Sequence, residues 1–161
     1  MIQRIQTVWL SLTLIFCIAC LCSNIGYYMC GPDEMANLSN FTFITIKPYN
    51  SLQCSGPWAL GILLILTIFL SVLSILLFRK RMRQLRLTIM SSLLLVGYIL
   101  VYAFFIYVYE LKLEETFTEH EIRYRIGVAA IYPVLSLIFN YLAIHGIRKD
   151  EALVRSLDRI R

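Results

Sequence analysis

Four stretches of this chain, residues 5–31, 48–78, 87–109 and 126–147, carry no Lys, Arg, Asp or Glu. The hydrocarbon core of a bilayer is about 30 Å thick, and a helix rising 1.5 Å per residue crosses it in about 20 residues, so each stretch is long enough for one crossing. A soluble domain would break its apolar surface into short runs alternating with polar residues. With 59% apolar residues, the 161-residue chain exceeds the roughly 45–50% of soluble domains, and the excess lies in these blocks. The sequence therefore reads as an all-α membrane protein. It forms a single four-helix transmembrane domain over 1–161, with helices near 7–28, 57–78, 87–111 and 120–147.

The net charge of +5 matters less than its distribution. One side of such a bundle carries Arg4, the cluster Arg79, Lys80, Arg81, Arg83 and Arg86, and the tail Arg148, Lys149, Arg155, Arg159 and Arg161, against Asp150, Glu151 and Asp158. The other side carries Lys47, Lys112, Arg123 and Arg125 against Asp33, Glu34, Glu110, Glu114, Glu115, Glu119 and Glu121. The positive-inside rule assigns the first side, with both termini, to the cytoplasm. The basic excess is thus a topology signal, and no nucleic-acid partner is expected.

The 29–56 segment is the longest polar connection, opened by Gly31-Pro32-Asp33 and closed by Gly56-Pro57. Within it Phe41-Thr42-Phe43-Ile44-Thr45-Ile46 is rich in β-branched and aromatic residues, which predicts a strand. A lone strand is unstable, so it must pair within the loop or with a partner chain. The basic cluster 79–86 reads as a short turn that makes the second and third helices antiparallel neighbours. Thr118-Glu119-His120-Glu121 has the form of a capping box, which starts the fourth helix near residue 120. Beyond Gly146, Leu153, Leu157 and Ile160 are spaced four and three, an amphipathic helix over 148–161 suited to the inner leaflet or to a partner helix.

Few residues carry chemistry. Tyr132, Ser136 and Asn140 lie four apart on one face of the fourth helix, beside Pro133, and form a candidate bundle-interior polar face. Tyr98, Tyr102, Phe105 and Tyr109 form an aromatic stripe that serves either bundle packing or a flat-ring ligand such as a quinone. His120 among Glu114, Glu115, Glu119 and Glu121 is more simply an acidic connection than a metal site. Cys17-x-x-Cys20 has redox spacing but lies inside an expected membrane helix. No catalytic constellation, metal site or cofactor is expected, and no charge lies at the membrane depth where ion coupling would need it.

The two ends, M-I-Q-R-I-Q-T at Met1 to Thr7 and R-K-D-E-A-L-V-R-S-L-D-R-I-R at Arg148 to Arg161, resemble the Bacteroidota family catalogued as domain of unknown function 4293. Leu157 departs mildly, standing where the family tail is expected to carry a small residue. The resemblance implies four spans, a strand-bearing loop after the first, and the inner membrane of a Gram-negative cell with the acidic side periplasmic. The expected function is a non-enzymatic accessory or scaffolding subunit of a membrane assembly, contacting lipid and other subunits through the C-terminal helix or the periplasmic loop. The alternative is a small carrier or sensor of a lipid, quinone or other neutral molecule.

Cys30 and Cys54 are the two cysteines outside the expected helices, both on the periplasmic side, where disulfides persist. They form a candidate disulfide clamping the ends of the first two helices, the alternative being two free thiols. Alkylation with and without prior reduction distinguishes the two. Labelling of both cysteines only after reduction is expected, and equal labelling in both samples excludes the bond.

Overall fold

The computed structural model of the chain describes residues 2–29, 35–46, 56–77, 81–116 and 123–158. Four helices dominate: α1 (Ile2–Cys22), α2 (Trp58–Leu76), α3 (Arg81–Thr116) and α4 (Tyr132–Asp158). They form a closed ring in which α1 packs on α4 and α2, and α3 packs on α2 and α4. All four contain a segment long and apolar enough to cross a membrane. Their outward faces are apolar, for example Ile15 and Ile18 on α1, Ile62 and Phe69 on α2, and Leu100 and Phe104 on α3, all exposed.

The chain is mostly helical, as expected, and carries a small sheet besides. Strands β1 (Gly26–Met29), β2 (Met35–Leu38), β3 (Phe43–Ile46) and β4 (Arg123–Ile126) form an antiparallel sheet in the order β3-β2-β1-β4. The strand expected over 41–46 is present as β3, and its partner is β2 of the same connection. On β1 the burial alternates: Gly26 and Tyr28 are buried and Tyr27 is exposed, as a sheet with one covered face requires. The covered face packs on α3, where Tyr28, Ala36 and Leu38 join Tyr109 and Leu113 in one apolar cluster.

This packing explains the length of α3. At 36 residues it is about 54 Å long, far more than the roughly 20 residues a crossing needs, and its last turns are the platform beneath the sheet. At its other end α3 begins at Arg81, so the expected basic turn is in large part helix: Arg83 and Arg86 are exposed on its first turns. Arg79 and Lys80 lie outside the described residues.

Three further expectations are corrected. The first helix stops at Cys22, not near residue 28: the Ser23 N–H bonds only three residues back, to the Cys20 carbonyl at 3.3 Å, and the Ile25 N–H bonds across to Leu38 at 2.8 Å. A charge-free run marks apolar environment, and it does not distinguish helix from buried strand.

The fourth helix starts at Tyr132, not near residue 120: β4 and a single 3-10 turn (Val128–Ile131) come first, joined by Gly127. Gly127 passes so close to α1's end that a Cβ there would lie 2.8 Å from the Ile25 carbonyl oxygen. Pro133 accordingly falls in the first turn of α4, where its missing N–H leaves no bond unmade. The expected capping box lies in residues outside the described set.

The tail is not a separate helix, since α4 runs without a break from Tyr132 to Asp158. Residues 159–161 lie outside the described set, as do Cys30 and Cys54.

Candidate functional site

Polar side chains inside the bundle form a seam in four layers, running from the end that carries the basic residues to the sheet. At the basic end the Gln6 amide donates to Asp150 Oδ2 at 2.6 Å, and both residues are only 6% exposed. Gly146, one turn before Asp150 on α4, makes room for Gln6: a Cβ there would lie 3.2 Å from Gln6 Cγ. Gln6 belongs to the N-terminal motif and Asp150 to the C-terminal one, so the two ends that carried the family resemblance touch each other.

The second layer joins α2, α3 and α4. Ser74 Oγ and Thr88 Oγ1 are 2.9 Å apart, and Thr88 donates to the Gln84 carbonyl of its own helix at 2.8 Å. Asn140 Nδ2 donates to Ser91 Oγ at 2.8 Å and to the Thr88 carbonyl at 3.3 Å. Asn140 Oδ1 meets no donor among the described residues.

In the third layer Cys17 Sγ donates to Ser136 Oγ at 3.6 Å, and Ser136 reaches the Thr13 carbonyl at 3.4 Å. Of the polar face expected on α4, Ser136 and Asn140 are thus buried against neighbouring helices. Tyr132 is half-buried, and its ring packs on Phe16 at 5.8 Å.

The fourth layer is built around Asn40, in the turn between β2 and β3. Its Nδ2 donates to the Cys20 carbonyl at 2.7 Å, its Oδ1 accepts from the Tyr98 hydroxyl at 2.9 Å, and its carbonyl accepts from Gly61 N–H at 3.2 Å. One residue therefore holds α1, α3 and α2. Cys20 O is one of the last four carbonyls of α1, which have no partner within the helix, so the contact also caps α1. Beside it, the Phe41 ring lies on Gly61 so closely that any side chain there would collide with it.

The aromatic stripe of α3 faces this region. Tyr98 and Tyr109 are buried and Tyr102 and Phe105 half-buried, with Tyr102 donating to the Ile25 carbonyl at 3.1 Å and bonded also to the Tyr124 hydroxyl. The Tyr28 hydroxyl donates to the Ile106 carbonyl at 3.1 Å, and its ring lies 4.8 Å from that of Tyr124. Burial is the main cause that pushes the Tyr28 and Tyr124 phenols above the usual tyrosine range, so both remain neutral hydroxyls.

Apart from the Asp150 carboxyl, the seam is a set of uncharged donors and acceptors bonded to one another and to backbone carbonyls. Cys17 and Cys20 are free, and each faces a hydroxyl. Among the described residues no three His, Cys, Asp or Glu converge as metal ligands. His120 lies outside them.

Sequence reasoning found Ser136 and Asn140 by helical spacing but missed Gln6, Asn40 and Asp150. Asn40 sits in a turn with no periodicity to mark it, and the Gln6–Asp150 contact joins residues 144 positions apart.

Two comparisons bear on the chain. The family whose description reads Domain of unknown function (DUF4293) matches residues 2–160. Comparison with curated proteins gives no match.

Asn40→Ala is expected to lower stability in detergent by about 2–3 kcal/mol, because it leaves the Cys20 carbonyl and the Tyr98 hydroxyl short of partners in a dry site. Tyr98→Phe alone should cost about 1 kcal/mol, and should cost less when added to Asn40→Ala, whose substitution has already broken the shared bond. Thermal unfolding of the two single variants and the double variant measures the coupling. Strict additivity would contradict the role assigned to Asn40.

Proposed function

We propose that the chain, which belongs to the family Domain of unknown function (DUF4293), is a multi-pass inner-membrane protein acting as a non-enzymatic accessory or scaffolding subunit of a membrane assembly. The observation that carries this reading is the use made of the buried polar groups. They bond helix to helix and cap to bundle, as in the Asn40, Ser136 and Gln6 contacts, and so they fasten the fold. Interhelical hydrogen bonds of this kind hold bundles together in lipid, where apolar contact alone discriminates little between a neighbour helix and the solvent.

The orientation follows from charge. The side with the basic excess is cytoplasmic and the sheet side periplasmic, and the Gln6–Asp150 contact supports a common side for the first and last turns of the bundle. A folded cap on one side and a helix extended past the bilayer on the other give the protein two surfaces for other subunits. Arg123 and Arg125 on β4 and Tyr27 on β1 are exposed on the cap. The carrier alternative draws on the α3 aromatic stripe, whose rings and hydroxyls here serve packing beneath the sheet, and this favours the accessory reading.

Reporter fusions after Lys80 and after Ile160 are expected to read as cytoplasmic, and fusions near Asn50 and Thr116 as periplasmic. A periplasmic C-terminus overturns the topology. Purification in mild detergent followed by mass spectrometry is expected to yield a stoichiometric membrane-protein partner that is lost when residues 153–161 are deleted or the exposed cap face is substituted. Purification of the chain with no such partner counts against the subunit role.

A further inference from the structure

The outward side of the α3–α4 contact carries a groove of about 400 Å³. It is lined by Ser92, Leu93 and Val96 of α3 and Leu137, Ile138, Tyr141 and Ile144 of α4. Its size falls within the roughly 300–1,000 Å³ of sites that hold small ligands.

Toward the basic end the same two helix faces change character. Arg86 lies seven residues before Leu93, two turns along one face of α3, and it is exposed. On α4, His145 and Arg148 follow Tyr141 at spacings of four and three, on the face that lines the groove, and both are exposed. The helices are antiparallel, with Asn140 level with Thr88 and Ser91, so Arg86 and His145 reach the same end of the groove from opposite walls. Of the acids near Arg148, Asp150 turns inward onto Gln6 and away from the groove.

The groove therefore has an apolar body and a cationic mouth. From Arg86 to Val96 is ten residues, about 15 Å of helix, which is half of a roughly 30 Å hydrocarbon core and so the depth of one leaflet. We propose that this groove binds one acyl chain of an anionic phospholipid, with its phosphate held by Arg86 and Arg148 at the inner-leaflet surface and His145 as a further donor. Basic pockets between membrane helices on the cytoplasmic side are suited to such headgroups, and a planar guanidinium matches two phosphate oxygens at once. The apolar body and cationic mouth together specify both halves of the ligand. The assignment rests on the chain spanning a bilayer, which resistance to carbonate extraction measures separately.

The test uses the full chain purified in a mild non-ionic detergent and stripped of lipid. Thermal unfolding is followed while dioleoyl phosphatidylglycerol, dioleoyl phosphatidylcholine or glycerol 3-phosphate is titrated in. Only phosphatidylglycerol is expected to raise the midpoint saturably. Phosphatidylcholine has the same chains without the net charge, and glycerol 3-phosphate has the charge without the chains. The double variant Arg86→Gln/Arg148→Gln should unfold near the parent's lipid-free midpoint and show an apparent phosphatidylglycerol affinity about thirtyfold weaker. Leu93→Trp, which fills the groove from a lipid-facing position, should blunt the same response with both arginines intact. Equal stabilisation by the two lipids, full stabilisation by glycerol 3-phosphate, or a wild-type response in both variants overturns the proposal. Failure of these outcomes in a chain that still resists carbonate extraction refutes the lipid site alone.

Discussion

The amide of Asn40 is where the cap and the bundle become one body. A turn between two short strands would ordinarily face water, yet this one places a fully buried side chain between the end of α1, the start of α2 and the middle of α3, and bonds to each. The cost of an unpaired amide in an apolar site is what makes the arrangement specific: any displacement of the turn leaves both ends of the Asn40 amide without partners and takes from the Cys20 carbonyl its shorter bond. Other features depend on the turn being seated. Phe41 then covers Gly61, the hairpin aligns β1 for pairing with β4, and the inner sheet face meets the last turns of α3.

The second and third layers repeat the device largely with shorter groups. Serine, threonine and cysteine side chains are short, so a bond between two of them requires the helices to approach closely, as Cys17–Ser136 does for α1 and α4 and Ser74–Thr88 for α2 and α3. Aromatic rings complete the α1–α4 contact, with Phe16 and Trp9 both stacked on Phe139 at 5.6 and 5.7 Å. Each polar layer fixes rotation and register between helices whose apolar surfaces alone would pack in many ways.

The sequence conveyed the four apolar helices well because their signal is additive: twenty residues each contribute, and a few misread positions do not change the sum. It conveyed the ends of those helices poorly. Residues 23–28 carry no charge, and yet Ser23, Asn24 and Gly26 are helix-stopping residues whose weight is local. The segment before Tyr132 misled for the opposite reason. A capping-box pattern is four residues long and common by chance, whereas β4 is a strand only because β1 lies beside it, and that pairing joins residues nearly a hundred positions apart. The same applies to the seam: Ser136 and Asn140 share a face and are visible by spacing, while Gln6–Asp150 and Asn40–Tyr98 exist only once the chain has folded back on itself.

The pairing of β1 with β4, and of Gln6 with Asp150, constrains the order in which the chain can mature as it is made. The first helix and the β1–β2–β3 meander emerge early, but the central strand keeps one edge unsatisfied until three helices have been synthesised and β4 follows. The first helix likewise waits for the last before its buried Gln6 has a partner. An unfinished chain thus holds an exposed strand edge at one end of the bundle and an unclosed ring of helices beside it. Completion of both is deferred until β4 and α4 have been made, which gives α4 the role of a lock on the ring.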